Sequence, residues 1–212
     1  MDDVSNLWLA EELHRLGGVQ FGDFTLGRST KHSPVHIDVK VLLRVPDVLH
    51  RAAALIVQET QAELGRRRPR FVPFQLVAGV PFGGLHLATA FSLQTNTPMI
   101  YTIPRHDGPH SRTIEGHVQP GQQVLIIDDL MTTGGSLLET QEVLTSAGLK
   151  VRDAIVLLDR DQGGGQRLRR HGMYLVSILR LPVMLTYYMS QGYITEDQYQ
   201  RSMDYVRTNR AT

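Results

Sequence analysis

Two adjacent carboxylates, Asp128 and Asp129, are followed by a short segment rich in hydroxyl groups and glycines. They end an apolar run, 124–127, that predicts a strand buried on both faces of a parallel sheet. Apolar residues then recur at helical spacing from Leu137 until Gly148, which predicts a helix after the loop. This arrangement brings backbone N–H groups and the positive end of a helix to one point, where they can bind a phosphate.

The carboxylates and the loop are expected to bind different parts of a ligand. Glycines let the backbone approach an anion closely, and the Thr and Ser hydroxyls add donors. Asp128 and Asp129 would repel the same phosphate, so we expect them to accept hydrogen bonds from sugar hydroxyls and to hold Mg²⁺ near further phosphates. The alternative is an ordinary Gly-rich turn after an acidic strand end, which the order of all four features disfavours.

Segment 124–136 resembles the phosphoribosyl pyrophosphate (PRPP) signature of type I phosphoribosyltransferases: an apolar strand, two acidic residues, two apolar residues and a loop rich in Thr, Gly and Ser. In that family the acidic pair contacts the ribose hydroxyls and the loop binds the 5′-phosphate. The resemblance implies PRPP as a ligand, with Mg²⁺ held largely through PRPP and water. The residues implied are Asp128, Asp129, Leu130, Met131, Thr132, Thr133, Gly134, Gly135 and Ser136.

Composition limits the other possibilities. The 212 residues, 42% of them hydrophobic, fit one domain over 1–212, and a net charge of +1 without a long basic run gives no support for nucleic-acid binding. The arginine-rich stretch 66–70 is interpreted as a solvated loop. The absence of cysteine excludes disulfides and thiol chemistry. No apolar stretch approaches the ~18 residues that span a bilayer, and the N-terminus lacks a signal-like apolar region, so we expect a cytoplasmic protein without membrane contact.

The pattern along the chain predicts a doubly wound, mostly parallel α/β sheet flanked by helices. Apolar periodicity, Gly and Pro positions and a capping box at 195–198 set the expected elements. The predicted helices cover 5–16, 46–65, 85–93, 137–147, 182–191 and a segment from 195 onward; the predicted strands cover 76–80, 99–103, 124–127, 151–158 and 175–179, with antiparallel strands within 20–38.

The antiparallel stretch narrows the resemblance. Phe-Gly-Asp-Phe-Thr-Leu at 21–26 and Ser-Pro-Val-His-Ile-Asp at 33–38 resemble the N-terminal hood of orotate phosphoribosyltransferases, here about 18–45. In that family a lysine in the intervening turn faces the pyrophosphate, and either Arg28 or Lys31 would replace it here. The segment after Ser-Pro covers the orotate ring, which implies contacts from His36 and Ile37, together with Thr132 from the phosphate loop.

Pro81-Phe82-Gly83-Gly84 follows the strand 76–80. A glycine turn there can bring backbone donors to a pyrophosphate at the carboxyl edge of the sheet. A tight strand-to-helix turn that merely needs small residues is the alternative. The position in the family pattern favours pyrophosphate, with Phe82 and Gly83 as PRPP-binding residues.

Residues 104–119 form a long polar segment with Gly, Pro and charge but no apolar periodicity, which predicts a mobile lid. Orotate phosphoribosyltransferases carry their catalytic lid here, beginning Arg-Lys. Arg105 and His110 match that pattern and are the implied catalytic residues, with Arg105 also binding PRPP. His106 stands where lysine is usual, and Arg112, the third implied catalytic residue, is the candidate for the missing charge.

Asp159-Arg160 ends the strand 151–158, and the glycines at 163–165 are predicted to form a flexible turn. In the resembling family the arginine binds the orotate carboxylate, a task suited to its planar, bidentate donors. The alternative is a surface salt bridge at a strand end.

These observations favour an orotate phosphoribosyltransferase, by resemblance a homodimer, that converts PRPP and orotate to orotidine 5′-phosphate and pyrophosphate in pyrimidine synthesis. Two alternatives stay open: a phosphoribosyltransferase for another base, and a PRPP-binding regulator with weak or lost catalysis. An unrelated nucleotide-binding domain is disfavoured, since neither Gly-x-x-x-x-Gly-Lys nor Gly-x-Gly-x-x-Gly occurs.

Overall fold

The computed structural model describes residues 6–26, 30–104 and 112–210. Arg28, Arg105 and His110 therefore lie outside the described residues. The helices are α1 (Leu7–Arg15), α2 (Pro46–Leu64), α3 (Gly83–Thr95), α4 (Gly135–Ser146), α5 (Gly164–Arg170), α6 (Leu181–Ser190) and α7 (Glu196–Thr208), with a 3-10 helix at Val39–Arg44. The strands are β1 (Val19–Leu26), β2 (Thr30–Ile37), β3 (Leu76–Gly79), β4 (Met99–Pro104), β5 (Arg112–Glu115), β6 (Gln123–Met131), β7 (Lys150–Asp159) and β8 (Tyr174–Arg180).

The main sheet has the order β5-β4-β3-β6-β7-β8, with β6 near its centre. The neighbouring pairs from β4 to β8 are parallel, and β5 runs antiparallel to β4 at one edge. Gly79 on β3 lies opposite Ile127 on β6, and Met131 on β6 lies opposite Asp159 on β7. The carboxyl ends of these three strands therefore meet, which confirms the predicted doubly wound sheet. That a ligand binds at this edge stays a prediction.

Helices cover both faces of this sheet because its central strands are apolar on both sides. Leu125 and Ile127 face a cluster that includes Phe91 of α3, whereas Ile126 faces the cluster containing Leu137 of α4. All five of these side chains are at most 1% exposed. Burial on this scale, at about 25 cal/mol per Å² of apolar surface, is the main stabilisation of the sheet that carries the site.

The hood is an antiparallel hairpin, with Val19 opposite Ile37. Val35 and Ile37 of β2 are buried in the main core, which fixes the hairpin to the domain. From the other side, the Tyr205 hydroxyl of α7 donates to the Lys31 carbonyl at 3.0 Å. The last helix therefore supports the turn end of the hood.

Most predicted helices and strands are confirmed, including the capping box in which Thr195 and Gln198 cap each other. Two predictions were wrong. The second half of the predicted lid contains β5, and the predicted glycine turn begins α5. In both cases tertiary contact overrides a weak local pattern: β5 pairs with β4, and Leu168 of α5 is buried.

Among the described helices, none has the length and apolar content that crossing a bilayer requires.

Candidate active site

The acidic pair lies near the end of β6. Asp128 is 6% exposed, and its Oδ1 accepts a hydrogen bond from the Asp129 N–H at 2.9 Å. Burial, followed by the charge of Asp129, raises the pKa of Asp128 well above its usual range. Burial also raises the pKa of Asp129, which the positive charge of Lys40 partly offsets. A buried carboxylate next to a half-buried one is costly, so this point favours a cation or several hydroxyl donors.

The predicted phosphate loop connects β6 to α4. Gly134 caps α4 in a left-handed conformation, with φ +76°, and a Cβ built on Gly135 would meet nothing within 4 Å. Thr132 and Thr133 are half-buried and Ser136 is exposed. The loop therefore presents open space at a helix N-terminus, as an anion site requires.

Leu130 and Met131, which are also predicted to bind PRPP, are the last two residues of β6 and pack against the core. The Met131 side chain is 2% exposed and packs in the core, and Leu130 packs against the opposite cluster. The Leu130 N–H donates to Asp129 Oδ1 at 2.7 Å. Any contact of Met131 with PRPP would come from its backbone, because its side chain is buried.

The predicted pyrophosphate loop packs directly on the acidic pair. A Cβ on Gly83 would lie 2.0 Å from Asp129 Oδ2, and one on Gly84 would lie 2.4 Å from the Ile127 carbonyl oxygen. The Pro81–Phe82 peptide is cis, and Phe82 is 76% exposed. No larger residue than glycine fits at these two positions, because the turn packs against the end of β6. This agrees both with a pyrophosphate-binding turn and with a tight turn that merely needs small residues.

Arg160 reaches from the end of β7 to the hood. Its backbone N–H donates to the Met131 carbonyl at 2.9 Å, and its Nη2 donates to Ser33 Oγ at 2.8 Å and to the Val35 carbonyl at 3.2 Å. The residue is 3% exposed, its Nε is buried without a partner, and desolvation lowers its pKa. The surface salt-bridge interpretation is wrong, since no carboxylate in the described part of the chain pairs with this buried cation.

The other hood residues lie on β2. His36 is half-buried with its ring 5.5 Å from the Phe24 ring, whereas Ile37 is 6% exposed in the core. Successive strand side chains face opposite sides, so both cannot contact one base by their side chains. Lys31 is exposed at the start of β2.

The segment predicted to be a lid is described near its two ends, which lie on neighbouring strands, with Pro104 opposite Arg112. The Arg112 guanidinium is 3.8 Å from Glu139 of α4, the helix that follows the phosphate loop. Arg112 is therefore close to the proposed site but is partly neutralised. The predicted catalytic residues Arg105 and His110 fall outside the described residues.

Sequence reasoning missed the residues that support the loop from below. A Cβ on Gly164 would lie 2.7 Å from the Thr132 carbonyl oxygen and 2.8 Å from Met131 Sδ. Ser33, which accepts a hydrogen bond from Arg160, belongs to the Ser-Pro motif at 33–38, and that motif alone gives no sign of this contact. The glycine triplet was a visible signal, but its close packing needs the three-dimensional arrangement of α5 against β6.

Comparison with known proteins agrees with this geometry. A family model described as "Phosphoribosyl transferase domain" matches residues 39–174. The orotate phosphoribosyltransferase of Chlamydia caviae is 34% identical over 187 residues, which cover 87% of this chain and 86% of that protein.

The chain belongs to the orotate phosphoribosyltransferase family.

Solved structures place this orotate phosphoribosyltransferase family member among similar folds. The enzyme of that name from Aeropyrum pernix is 35% identical with a TM-score of 0.71, over 84% of this chain and 98% of that one. UMP synthase from Leishmania donovani is 32% identical with a TM-score of 0.82, over 96% of this chain. The chain spans 42% of that longer protein.

Proposed function

We propose that this chain transfers the 5-phosphoribosyl group from PRPP to orotate, forming orotidine 5′-phosphate and pyrophosphate in pyrimidine biosynthesis. The observation that carries the proposal is Arg160, a buried guanidinium with an unpartnered Nε, hydrogen-bonded through its backbone to the strand end that bears the acidic pair. A planar carboxylate is the ligand that such a fork of donors matches best. Orotate has that group, and common uncharged bases lack it.

PRPP is held, in this proposal, by the phosphate loop and by Asp128 and Asp129. A ring nitrogen of orotate attacks the anomeric carbon while the bond to pyrophosphate breaks, so positive charge develops on the ribose. In this proposal Asp128 and Asp129 accept hydrogen bonds from the ribose hydroxyls and so fix the sugar's orientation. Positioning of the two substrates by fixed groups supplies much of the acceleration, and no strong base is required.

Cations are needed around the departing pyrophosphate, because it leaves with several negative charges. The candidates in this chain are Arg105 and Arg112 at the lid ends and either Arg28 or Lys31 in the hood, with His110 as a lid donor. Phe82 and Gly83 border the same space through the pyrophosphate loop. These roles are predictions, and that of Arg112 requires release from Glu139.

Magnesium fits the acidic pair in its donor chemistry. Mg²⁺ is commonly bound by one or two carboxylates, with substrate phosphates and water in its other positions. No group of three metal-ligating side chains occurs in the described ranges. In this proposal the ion is held largely through PRPP and water. When bound, the ion would neutralise charge on the pyrophosphate.

A PRPP-binding regulator with weak catalysis is the second candidate, and the lid sequence favours it. Residues 104–119 contain no lysine, whereas the family pattern places lysines there. A lid with fewer cations stabilises the leaving group less, so binding could persist while turnover falls.

The test mixes the purified protein with Mg²⁺, PRPP and orotate and follows the loss of orotate absorbance, with adenine and uracil, which lack a carboxylate, assayed separately for pyrophosphate release. We expect turnover with orotate and at least about a hundredfold lower kcat/KM with the other bases, since they leave Arg160 unpaired. Turnover with another base in preference to orotate would refute the assignment. PRPP binding without any turnover would favour the regulator.

The homodimer, which the family resemblance supports, and the cytoplasmic location are further proposals. Sedimentation of the purified chain with and without PRPP would test the first.

A further inference from the structure

A cluster of arginines lies at the amino-terminal edge of the main sheet, opposite the edge at which Asp128, Asp129 and Arg160 lie. The loop after α2 places four arginines around a cleft, and β7 and β8 contribute Arg152 and Tyr174. The cleft has a volume of about 860 Å³. Its lining residues are Arg66, Arg67, Arg68, Pro69, Arg70, Arg152 and Tyr174.

The cleft is distant from the proposed active site. Arg152 and Tyr174 lie at the amino ends of β7 and β8, whereas Arg160 follows the carboxyl end of β7. Eight residues of strand at about 3.3 Å each separate Arg152 from Arg160 by roughly 26 Å. A ligand in the cleft would therefore not share the PRPP site.

Three arginines of this cleft are held in place. Arg70 donates from Nη1 to the Tyr174 hydroxyl at 3.0 Å, and Arg152 donates from Nη2 to the Arg70 carbonyl. Arg66 pairs with Glu63 at 2.6 Å. Residues 66–70 are all exposed, as expected of a solvated loop, and these contacts give three of the cleft's arginines defined positions.

The charge of the cleft is not balanced by the protein. Glu63 and Asp153 are each 2% exposed beneath the loop and offset two of its five arginine charges, since Asp153 lies 3.6 Å from Arg152 Nε. Arg67 and Arg68 are exposed, and they have no carboxylate partner among the residues that the structure describes. The excess of positive charge is therefore concentrated on one concave surface.

We propose that this cleft binds a small ligand that carries two or three linked phosphates. Arginine forks match phosphate oxygens in pairs, and several linked phosphates are needed to engage arginines from both the loop and β7. The volume lies within the usual range for small-molecule sites. The arginines form a compact cluster, which fits a small polyphosphate better than an extended strand of nucleic acid.

The experiment titrates the full chain with inorganic tripolyphosphate by calorimetry at fixed salt. The test variant is the double substitution Arg67→Gln and Arg68→Gln, which removes exposed side chains and should leave folding intact. The matched control is Arg15→Gln with Arg201→Gln, which removes the same charge from exposed arginines of α1 and α7 that pair with Glu12 and Asp197. Circular dichroism and thermal unfolding check that all forms are folded.

We expect one class of tripolyphosphate sites to weaken at least about tenfold in the test variant and to stay unchanged in the control. Equal weakening in both variants would reduce the effect to net charge and overturn the proposal. Binding that is absent, or unaffected by Arg67 and Arg68, would overturn it as well, since the phosphate then binds elsewhere. A single-stranded RNA that binds through these arginines while tripolyphosphate does not would replace the proposed ligand by nucleic acid.

Discussion

Replacement of Arg160 by alanine separates recognition of orotate from support of the hood. Arg160 is 3% exposed, so a substrate carboxylate that binds it would be buried as well. Without the guanidinium, that carboxylate would be buried with no opposite charge beside it. Truncation of one member of a buried charged pair costs about 2–5 kcal/mol. We therefore expect kcat/KM for orotate to fall by roughly 30-fold to several thousand-fold, with a much smaller change for PRPP.

Ser33→Ala is the matched control, because it removes the 2.8 Å hydrogen bond to Arg160 Nη2 and keeps the positive charge. The bond to the Val35 carbonyl at 3.2 Å still holds the guanidinium beneath the hood. We expect this variant to lose less than about tenfold in kcat/KM, since one hydrogen bond is lost and the cation remains available.

The assay measures initial velocities with each substrate varied in turn at saturation of the other, alongside thermal unfolding of each variant. Equal losses for PRPP and orotate in Arg160→Ala would refute the assigned role. A loss in Ser33→Ala as large as that in Arg160→Ala would show that Arg160 acts by holding the hood rather than by binding the base.

Three further predictions concern the loop, the acidic pair and the end of β7. Gly164→Ala should raise the KM for PRPP roughly tenfold, since the added Cβ would lie 2.7 Å from the Thr132 carbonyl oxygen and would displace the phosphate loop. Gly165→Ala is the control, because its Cβ would have no neighbour closer than 3.8 Å. Asp128→Asn should raise the free energy of unfolding without ligand, because the raised pKa makes the charged form unfavourable, and lower kcat/KM for PRPP at least about tenfold. Burial raises the pKa of Asp159 to about 6, so its contribution to stability is full below about pH 4 and is lost as pH rises through 6. The free energy of unfolding, measured with urea, should therefore fall by about 1 kcal/mol from pH 5 to pH 7.5, and this fall should be missing in Asp159→Asn.

Each of these has a contrary outcome. The loop argument is wrong if Gly165→Ala impairs PRPP use as much as Gly164→Ala does. If Asp128→Asn were less stable than the original protein and had unchanged kinetics, both arguments would be refuted: that the charged form is unfavourable in the folded protein, and that Asp128 contacts the ribose. An identical decline of stability between pH 5 and 7.5 in Asp159→Asn would mean that other groups carry the pH dependence.

Strong local patterns were predictable. The four apolar side chains at 124–127 can all be buried only in a strand with helices packed on both faces of its sheet. Thr195 and Gln198, which cap each other, mark the start of α7. The short segments β5 and α5 were not predictable. Four residues of mixed polarity and a glycine-rich start carry weak intrinsic preferences, and pairing or burial decided their structure.

The order of residues alone determined the phosphate-binding pattern, because carboxylates, hydroxyls and glycines must be adjacent along the chain to form one strand end and one loop. It also determined the alternation of strands and helices, and so the edge of the sheet at which we expect a ligand to bind. Only the tertiary structure decided that Arg160 is buried against Ser33, 127 residues away in sequence, and that Arg152 and Tyr174 join the arginine loop. Local preferences act over a few residues, whereas these contacts depend on how distant strands pack together.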